Sequence, residues 1–357
     1  MNFKDYRKEY DSFDATRLFL YTLIIPYLGV LLLYMIYSII GSSAGIAPKD
    51  FTELLPVAML NAVFMQLCFV VIFFVFNHKR KINFISATKL DKKFNLSAFA
   101  VALCLGFAVM WFSSPLVTLI EQGLTALGFN LTQDLGFKLD NAGTIIFALL
   151  FIGILPAFIE EFIFRGAVLQ GLRKHGDWFA IIASALLFML MHGSIQQSIY
   201  QFGFGLLAGW LVVKTGSIWV TIAMHALNNC SILIMNSVYD CNNIVNVVKL
   251  DTEFAIKAVI YTIVLVLLVW LGVYLIRKIY KKEEQNKEQQ PALVPQTREQ
   301  EHKNKKLKKQ MEQNKQKNSF VRGFNDYFSD KYRKREAIGG VFLALCLLIV
   351  NSVAMLM

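Results

Sequence analysis

Two adjacent glutamates, Glu160 and Glu161, and one arginine, Arg165, lie inside the otherwise apolar run of residues 144–172. Because a charged side chain at bilayer depth costs at least ~2.5 to 3.5 kcal/mol, such charges predict a functional site. Glu161 and Arg165 are four residues apart, so on a helix they share a face, whereas Glu160 is rotated by about 100° toward a different neighbour. The spacing predicts an ion pair between Glu161 and Arg165 and leaves Glu160 for chemistry. The alternative is a buried ion pair that only fixes helix packing.

Two histidines in apolar surroundings follow further along the chain. His192 closes the run F-M-L-M-H, and His225 opens H-A-L-N-N, in which Asn229 lies four residues later on the same helix face. A lone histidine on an apolar helix is usually structural, but of the chain's five histidines only these two lie inside predicted membrane helices. Pro156 cannot donate a backbone hydrogen bond, so we expect the helix to bend there and open space beside Glu160.

These residue types suit the hydrolysis of an amide bond. The reaction needs a base that deprotonates water and fixed donors for the developing oxyanion, in a water-accessible pocket of low dielectric. Glu160, His192 and His225 are alternatively an acceptable zinc ligand set with one open position, which would produce a metal-bound hydroxide. The residues leave both mechanisms open. We prefer the metal-free one, because the amide of Asn229 is a rare kind of zinc ligand but a natural oxyanion donor.

The rise per residue of a helix predicts whether the helices that carry these groups can bring them together. Glu160 and His192 are each sixteen residues from a predicted chain reversal at Gly176, or ~24 Å at 1.5 Å per residue, so they are expected at one depth in the bilayer. Gly205 and Gly209 form a small-x-x-x-small face on the next span, which lets neighbouring backbones approach closely. We therefore expect the spans that carry the glutamates and the two histidines to pack together.

The composition is that of an all-α polytopic membrane protein. Hydrophobic residues make up 56% of the 357 residues and charged residues only 17%, which excludes a soluble enzyme. The five cysteines lie far apart without C-x-x-C spacing, so no disulfide framework or zinc ribbon is indicated. Eight apolar runs and a ninth behind a polar linker predict an eight-helix bundle plus a C-terminal transmembrane helix. The predicted spans cover residues 17–40, 55–77, 96–122, 144–172, 178–192, 198–213, 217–238, 254–276 and 338–357.

The distribution of charge predicts the orientation. The loop of residues 78–93 is strongly basic, whereas residues 41–53 and 125–143 are nearly neutral, so the positive-inside rule places the N-terminus in the cytosol. No small-residue cleavage site follows a short apolar run near the start. We therefore expect residues 1–16 to be a cytosolic segment ahead of an eight-helix membrane domain of residues 17–276.

A polar linker of residues 277–337 separates the last two spans. Residues 277–336 contain 18 Lys and Arg against 9 Asp and Glu, a net charge of +9 in a chain of net charge +11. Such a low-complexity cationic segment is expected to be a disordered or partly helical cytosolic arm that lies on anionic lipid. Nucleic-acid binding is disfavoured, because an arm tethered beside a membrane meets lipid first.

The three motifs, taken as a set, resemble those of a known family. E-E-F-I-F-R, F-M-L-M-H and H-A-L-N-N are similar to the E-E-x-x-x-R, F-x-x-x-H and H-x-x-x-N motifs of the CPBP intramembrane proteases, the Abi or type II CAAX-protease group. The resemblance covers about residues 140–235, with the motifs in the same order and one on each helix. It implies a bundle of membrane helices that cleaves peptide bonds. The basic arm and the ninth span lie outside the family core.

Residue by residue, the resemblance implies a role for each polar side chain of the motifs. The residues concerned are Glu160, Glu161, Arg165, His192, His225 and Asn229. Glu160 and His192 would activate a water molecule. His225 and Asn229 would stabilise the oxyanion, and the ion pair of the first motif would hold that motif in shape.

Two functions of a different class stand as alternatives. A catalytically silent relative of the same fold would be a scaffold or an immunity protein, against which the complete motif set argues. A transporter is the other, since intramembrane Glu, Arg and His also mark ion paths, but no inverted repeat is evident. The Lys, Asn and Ile content is typical of an AT-rich bacterium. In its cytoplasmic membrane we expect leader peptides, pheromones or bacteriocin-related peptides as substrates rather than prenylated proteins.

Overall fold

The computed structural model describes residues 6–129, 135, 137–239, 251–289 and 320–354. Among these residues the regular elements are helices, apart from an isolated parallel bridge between Arg7 and Ile82. The all-α polytopic membrane fold expected from the sequence is therefore confirmed. Residues 290–319 of the predicted arm, and Cys241, lie outside the described residues.

The principal helices follow the predicted apolar runs. They are α1 Ser12–Ser43, α2 Leu55–Arg80, α3 Leu96–Phe112, α4 Ser114–Ala126, α5 Ala142–His175, α6 Asp177–Met191, α7 Ile195–Thr215, α8 Trp219–Tyr239, α9 Thr252–Gln289, α10 Phe320–Phe328 and α11 Lys331–Ala354. Two short helices, Pro48–Thr52 and Phe84–Ala87, lie in the connections on either side of α2. By length and composition, 5 stretches of the described residues can cross a membrane: α1, α2, α3 with α4, α5 and α9.

The third predicted span, residues 96–122, is not one uninterrupted helix. It breaks at Ser113 between α3 and α4, and Pro115 lies in the first turn of α4. Proline has no N–H to donate to the carbonyl four residues earlier, which here belongs to Trp111. The hydroxyl of Ser114 donates to that carbonyl instead, at 2.8 Å. The carbonyl of Trp111 therefore keeps a hydrogen-bond donor despite the proline.

The helices beside the polar linker are longer than their apolar runs. The eighth predicted span ends at residue 276, but α9 continues to Gln289, and α11 begins at Lys331 rather than at residue 338. The added residues are mostly Lys, Glu, Gln and Arg, which have high helix propensity in water. Part of the basic arm is thus helical.

One end of the bundle, called here the proximal face, gathers the N-terminal residues, the loop after α2, the α5–α6 hairpin and the α7–α8 turn. Hydrogen bonds join these segments in pairs: Arg7 to Lys81, His175 to Ser12 and Ser217 to Lys92. The opposite end, called the distal face, holds the end of α1, the start of α2, the end of α4 and the start of α5. The helices that carry the motifs run between these two faces.

Helix α6 is shorter than a membrane span. Its 15 residues extend ~22 Å at 1.5 Å per residue, against the ~30 Å of a hydrocarbon core. The chain enters it from the proximal face through Gly176, whose φ of 124° few other residues adopt. The turn of residues 192–194 that joins α6 to α7 therefore lies below the distal surface of the bundle.

Small residues let α7 approach α6 closely, as the sequence predicted. A Cβ atom added at Gly205 would lie 2.9 Å from the Cα of Ala185, and one at Gly209 would lie 3.4 Å from a methyl of Ile181. Backbone atoms cannot move away from such a contact without shifting a helix. The close approach fixes α6 and α7 side by side and brings Phe204 into the core.

We expect Gly205→Val to destabilise the protein by about 1 to 3 kcal/mol, because the added methyl groups would overpack the α6–α7 interface. Gly203→Val is the matched control, since a Cβ atom at Gly203 meets nothing within 4 Å. Thermal unfolding of both purified variants in detergent measures the difference. Equal unfolding temperatures for the two variants would contradict the packing.

The two C-terminal helices pack on the bundle core. On the proximal face, the imidazole of His175 donates to the carboxylate of Asp326 in α10. Toward the distal side, the amide of Asn351 in α11 donates to the carbonyl of Gly193 at 3.0 Å. The segment beyond the motif region therefore contacts the chain at both ends of α6.

Candidate active site

The glutamate pair lies in a helix whose regular winding is interrupted twice. In α5, residues 149–154 and 162–168 are π-helical turns that flank an α-helical segment, Leu155–Glu161. The first π-turn ends just before Pro156, where the sequence predicted a bend, because proline cannot complete the α-helical ladder. Such turns occur often at functional sites, where they re-aim side chains. The second π-turn follows Glu161 directly and no local residue pattern predicted it.

Glu161 and Arg165 form the ion pair that their spacing predicted. The Nη1 atom of Arg165 donates to Oε1 of Glu161 at 2.8 Å, and the two residues are 1% and 0% exposed. The same carboxylate oxygen accepts a hydrogen bond from Nδ1 of His225 at 3.0 Å. Glu161 therefore joins the first motif to the third through one buried oxygen.

Arg165 also contacts the second motif through an aromatic ring. Its guanidinium carbon lies 4.3 Å from the ring centroid of Phe188 and 5.8 Å from that of Phe204. A cation over an aromatic face is attracted by the ring quadrupole, most strongly when both are desolvated. Phe188 is fully buried and is the first residue of F-M-L-M-H, so the phenylalanine of that motif acts as a platform for the arginine. Sequence reasoning had assigned it no contact.

Glu160 faces both histidines. Its Oε2 atom lies 4.0 Å from Nε2 of His192 and 3.9 Å from Nε2 of His225. The agreement in depth that was predicted from Gly176 is therefore observed. Both distances are too long for a direct hydrogen bond, so the three groups surround a small space rather than bond to each other.

The orientation of each imidazole is fixed from its far side. Nδ1 of His192 donates to the carbonyl of Phe188 at 2.8 Å, and Nδ1 of His225 donates to the carboxylate of Glu161. In both rings the proton of the neutral form is thus on Nδ1. The Nε2 lone pair of each neutral imidazole would point toward Glu160.

A further side chain holds the other oxygen of Glu160. Nε2 of Gln66, in α2, donates to Oε1 of Glu160 at 3.1 Å. This residue was missed in the sequence, although an amide in the middle of an apolar helix is itself a signal that something polar lies opposite. Glu160 therefore has one oxygen fixed by an amide and the other turned to the histidines.

Asn229 lies beside the same space, within a short chain of amides. Its Nδ2 atom makes a long contact of 3.4 Å to the carbonyl of Gly153 in the first π-turn, and its oxygen accepts from Nδ2 of Asn228 at 3.2 Å. Asn228 in turn accepts from the hydroxyl of Tyr200. With its oxygen occupied, Asn229 presents its NH₂ group as the donor. Tyr200 and Asn228 were not predicted as site residues.

A cavity of about 700 Å³ opens in front of these groups. The side chains of interest that line it are Gln66, Glu121, Glu160, His192, His225 and Asn229. Glu161 and Arg165 lie behind its wall, where the ion pair is almost fully buried. The structure thus brings all six predicted residues together and separates them into four that face the cavity and two that support the others.

The zinc alternative can be compared with the positions of Glu160, His192 and His225. Two ligands of a tetrahedral zinc ion are ~3.4 Å apart for bonds of about 2.0 to 2.1 Å, whereas the nitrogen-to-oxygen distances here are 4.0 and 3.9 Å. In the described part of the chain, no group of three or more His, Cys, Asp or Glu side chains is arranged as a metal site. As placed, the three residues do not fit zinc.

Comparisons with known proteins agree with the motifs. Residues 142–231 match the family model described as type II CAAX prenyl endopeptidase, Rce1-like. A curated protein of Bacillus subtilis (strain 168), named "Putative membrane peptidase YdiL", is 25% identical over 131 residues, which are 36% of this chain and 53% of that protein. The chain thus spans about half the length of this relative. No solved structure matches the chain. The resemblance drawn from the three motifs is therefore confirmed for residues 142–231, which are similar to the Rce1-like type II CAAX prenyl endopeptidases.

Proposed function

We propose that the protein is an intramembrane endopeptidase that hydrolyses a peptide bond of a membrane-associated protein or peptide. The observation on which this rests is the position of Glu160. Its carboxylate oxygen lies 4.0 and 3.9 Å from the Nε2 atoms of His192 and His225, on the wall of a cavity of about 700 Å³. Charged groups at this depth in a membrane are costly, so their presence indicates a functional site.

Glu160 is the general base of the proposed reaction. Two atoms about 4 Å apart can share one water molecule, because two hydrogen bonds of ~2.8 Å from one oxygen span that distance. Such a water would donate one hydrogen to Oε2 of Glu160 and the other to Nε2 of His192. Its oxygen lone pair is then free to attack a substrate carbonyl while Glu160 takes the proton.

His225 and Asn229 are the proposed donors to the oxyanion. Since Nδ1 of His225 donates to Glu161, donation from Nε2 requires the imidazolium form, and the proposed reaction uses that form. Its charge, with those of two carboxylates and the guanidinium of Arg165, gives a cluster of zero net charge. The NH₂ group of Asn229 supplies the second donor.

Collapse of the tetrahedral intermediate returns the proton. The carboxyl of Glu160, protonated by the attacking water, donates that proton to the leaving nitrogen as the carbon–nitrogen bond breaks. The products are a new carboxylic acid and a new neutral amine, and Glu160 is again ionised. Counted together with the oxyanion of the substrate, the buried cluster keeps a net charge of zero through every step, so no charge has to enter or leave the membrane interior.

The comparisons support the class of reaction, since both the matched family and the curated relative are named as peptidases. Comparison of peptides released from membranes that contain the wild-type protein or Glu160→Gln tests the proposal. We expect a set of peptides that appears only with the wild type. Unchanged peptides together with retained biological activity would instead indicate a scaffold or an immunity protein of the same fold.

The basic arm is proposed to lie on anionic lipid on the cytosolic side of a bacterial cytoplasmic membrane. Each basic residue close to the surface contributes ~1 kcal/mol of attraction, and the attraction falls with added salt. Helix α10, within the arm, supports this placement, because it exposes Val321 and Phe324 beside its charged residues. No role in nucleic-acid binding is proposed.

We expect an added protease to cut residues 277–336 in inside-out vesicles and to leave them intact in right-side-out vesicles. The reason is that the arm, the N-terminus and the basic loop after α2 share one side under the positive-inside rule. Immunoblots with tags at either end of the chain report the cut. Residues 44–54, at the distal face, are the internal comparison and should be cut from the other side only. Cleavage of the arm in right-side-out vesicles would overturn the orientation.

A further inference from the structure

The wall of the cavity around the motif residues is rich in amide side chains. The described amide residues that line it, besides Asn229, are Gln66, Gln196, Gln197, Gln201 and Asn228. Amides offer both donors and acceptors, so such a wall can pair with the backbone of an extended peptide. It has little net charge of its own.

Glu121 is the one carboxylate on that wall among the described residues, apart from Glu160. It lies in α4, and one of its oxygens accepts a hydrogen bond from the buried amide of Gln196. An ionised carboxylate has about four acceptor sites, so this bond leaves room for a ligand. In the described part of the chain, no Lys, Arg or His forms an ion pair with Glu121, and no Lys or Arg lines the cavity.

The cavity lies toward the distal face. Its lining residues from α2 and α7 belong to the halves of these helices nearest that face, for example Gln66 and Gln196, and Glu121 lies in the corresponding half of α4. Because α6 is only 15 residues long, the turn that follows His192 ends below the distal surface. The result is a well whose floor carries Glu160 and His192.

The two faces of the bundle differ in charge. On the proximal face the loop of residues 78–93 contains six Lys and Arg, whereas residues 44–54 of the distal face contain one Lys, and so does the sequence of residues 127–141 between α4 and α5. Positively charged loops stay in the cytosol. The distal face, to which the cavity opens, is therefore the outer side of the membrane.

We propose that the cavity admits a peptide segment from the outer side of the membrane and that Glu121 binds a cationic nitrogen of this segment. This inference rests on the proposed peptidase function and names its substrate class. Glu121 is then a specificity-determining residue, since an ammonium or guanidinium group pairs with its carboxylate in a site of reduced dielectric. A substrate recognised through its C-terminal carboxylate would meet no Lys or Arg among the described residues of the wall and would be repelled by Glu121.

Cleavage of a synthetic peptide library by the purified enzyme in liposomes, with products read by mass spectrometry, tests the specificity. We expect a preference for Lys, Arg or a free N-terminus of ten- to a hundredfold in kcat/KM over neutral analogues, as for a hydrogen bond to a charged group. Glu121→Gln should abolish this preference and Glu121→Lys should reverse it toward acidic peptides. N-terminally acetylated peptides and peptides without Lys or Arg distinguish the two sources of the cation.

Controls separate this inference from the proposed function. Glu253→Gln removes an exposed carboxylate at the distal face that does not line the cavity, and it should keep the preference. Cleavage by the wild type with no cationic preference, or one that Glu121→Lys leaves unchanged, would refute the role of Glu121 and leave the peptidase standing. The absence of any cleavage, equal to that of Glu160→Gln, would refute the proposed function itself.

The direction of opening has a test that does not depend on activity. In a protein whose native cysteines are replaced by Ser, Thr118→Cys places a thiol on the cavity wall, and Lys92→Cys places one in the proximal loop. A membrane-impermeant maleimide should label the first in right-side-out vesicles and the second only in inside-out vesicles. Labelling of Thr118→Cys only in inside-out vesicles, or in neither, would overturn entry from the outer side.

Discussion

Glu160→Gln is expected to abolish peptide hydrolysis while leaving the free energy of unfolding almost unchanged. The amide has the size of the carboxylate, and its oxygen can still accept the hydrogen bond from Gln66 that Glu160 accepts at 3.1 Å. It cannot take a proton from water, so the reaction loses its base. Turnover of a cleaved peptide and thermal unfolding, measured on the same purified sample, separate the two effects.

The neighbouring carboxylate provides the matched control. Glu161→Gln and Arg165→Ala each leave an uncompensated charge in a pair that is 0% and 1% exposed in its side chains, which costs roughly 3 to 5 kcal/mol of stability. Both should therefore lower the unfolding temperature as well as the activity. If Glu161→Gln were inactive but fully stable and Glu160→Gln stayed active, the roles assigned to the two glutamates would have to be exchanged.

The parts of the site that local spacing determines could be predicted from the sequence. The pairing of Glu161 with Arg165 follows from helix periodicity, and the level of His192 follows from counting residues on both sides of Gly176. These relations are set by the 1.5 Å rise and 3.6-residue turn of the helix. They do not depend on how the rest of the chain folds. The observed distances agree with them: 2.8 Å between Arg165 and Glu161, and 4.0 Å between His192 and Glu160.

The parts that depend on which helix lies opposite could not be predicted. Gln66 is 94 positions from Glu160, and nothing in either segment indicates that α2 packs against α5. The platform of Phe188 under Arg165 was missed for the same reason, since a phenylalanine in an apolar run is indistinguishable from a core residue. The second π-turn of α5 reflects tertiary packing around the ion pair, which overrides the local preference for an α-helix.

Asn229→Ala is expected to lower kcat by about 10² to 10³, the usual loss when one oxyanion donor is removed. KM should change little, because the donor acts on charge that develops only in the transition state. Asn228→Ala is the comparison. Asn228 orients the oxygen of Asn229 at 3.2 Å and does not itself donate to the oxyanion, so its replacement should cost less.

The metal content, the effect of chelators and the variant His225→Ala decide between the metal-free mechanism and a zinc-bound hydroxide. If His225 only donates a hydrogen bond, chelators should have little effect on the wild type, and purified protein should hold no stoichiometric metal. If zinc were held by Glu160, His192 and His225, His225→Ala should release it, and activity should vanish with chelator and return with added zinc. Stoichiometric zinc in the wild type that disappears in His225→Ala would show that the 4.0 and 3.9 Å separations contract around a metal. In that case Asn229→Ala should still lower kcat, because an amide donor to the oxyanion serves either nucleophile, so the assignment of a peptidase would stand while the identity of the base would change.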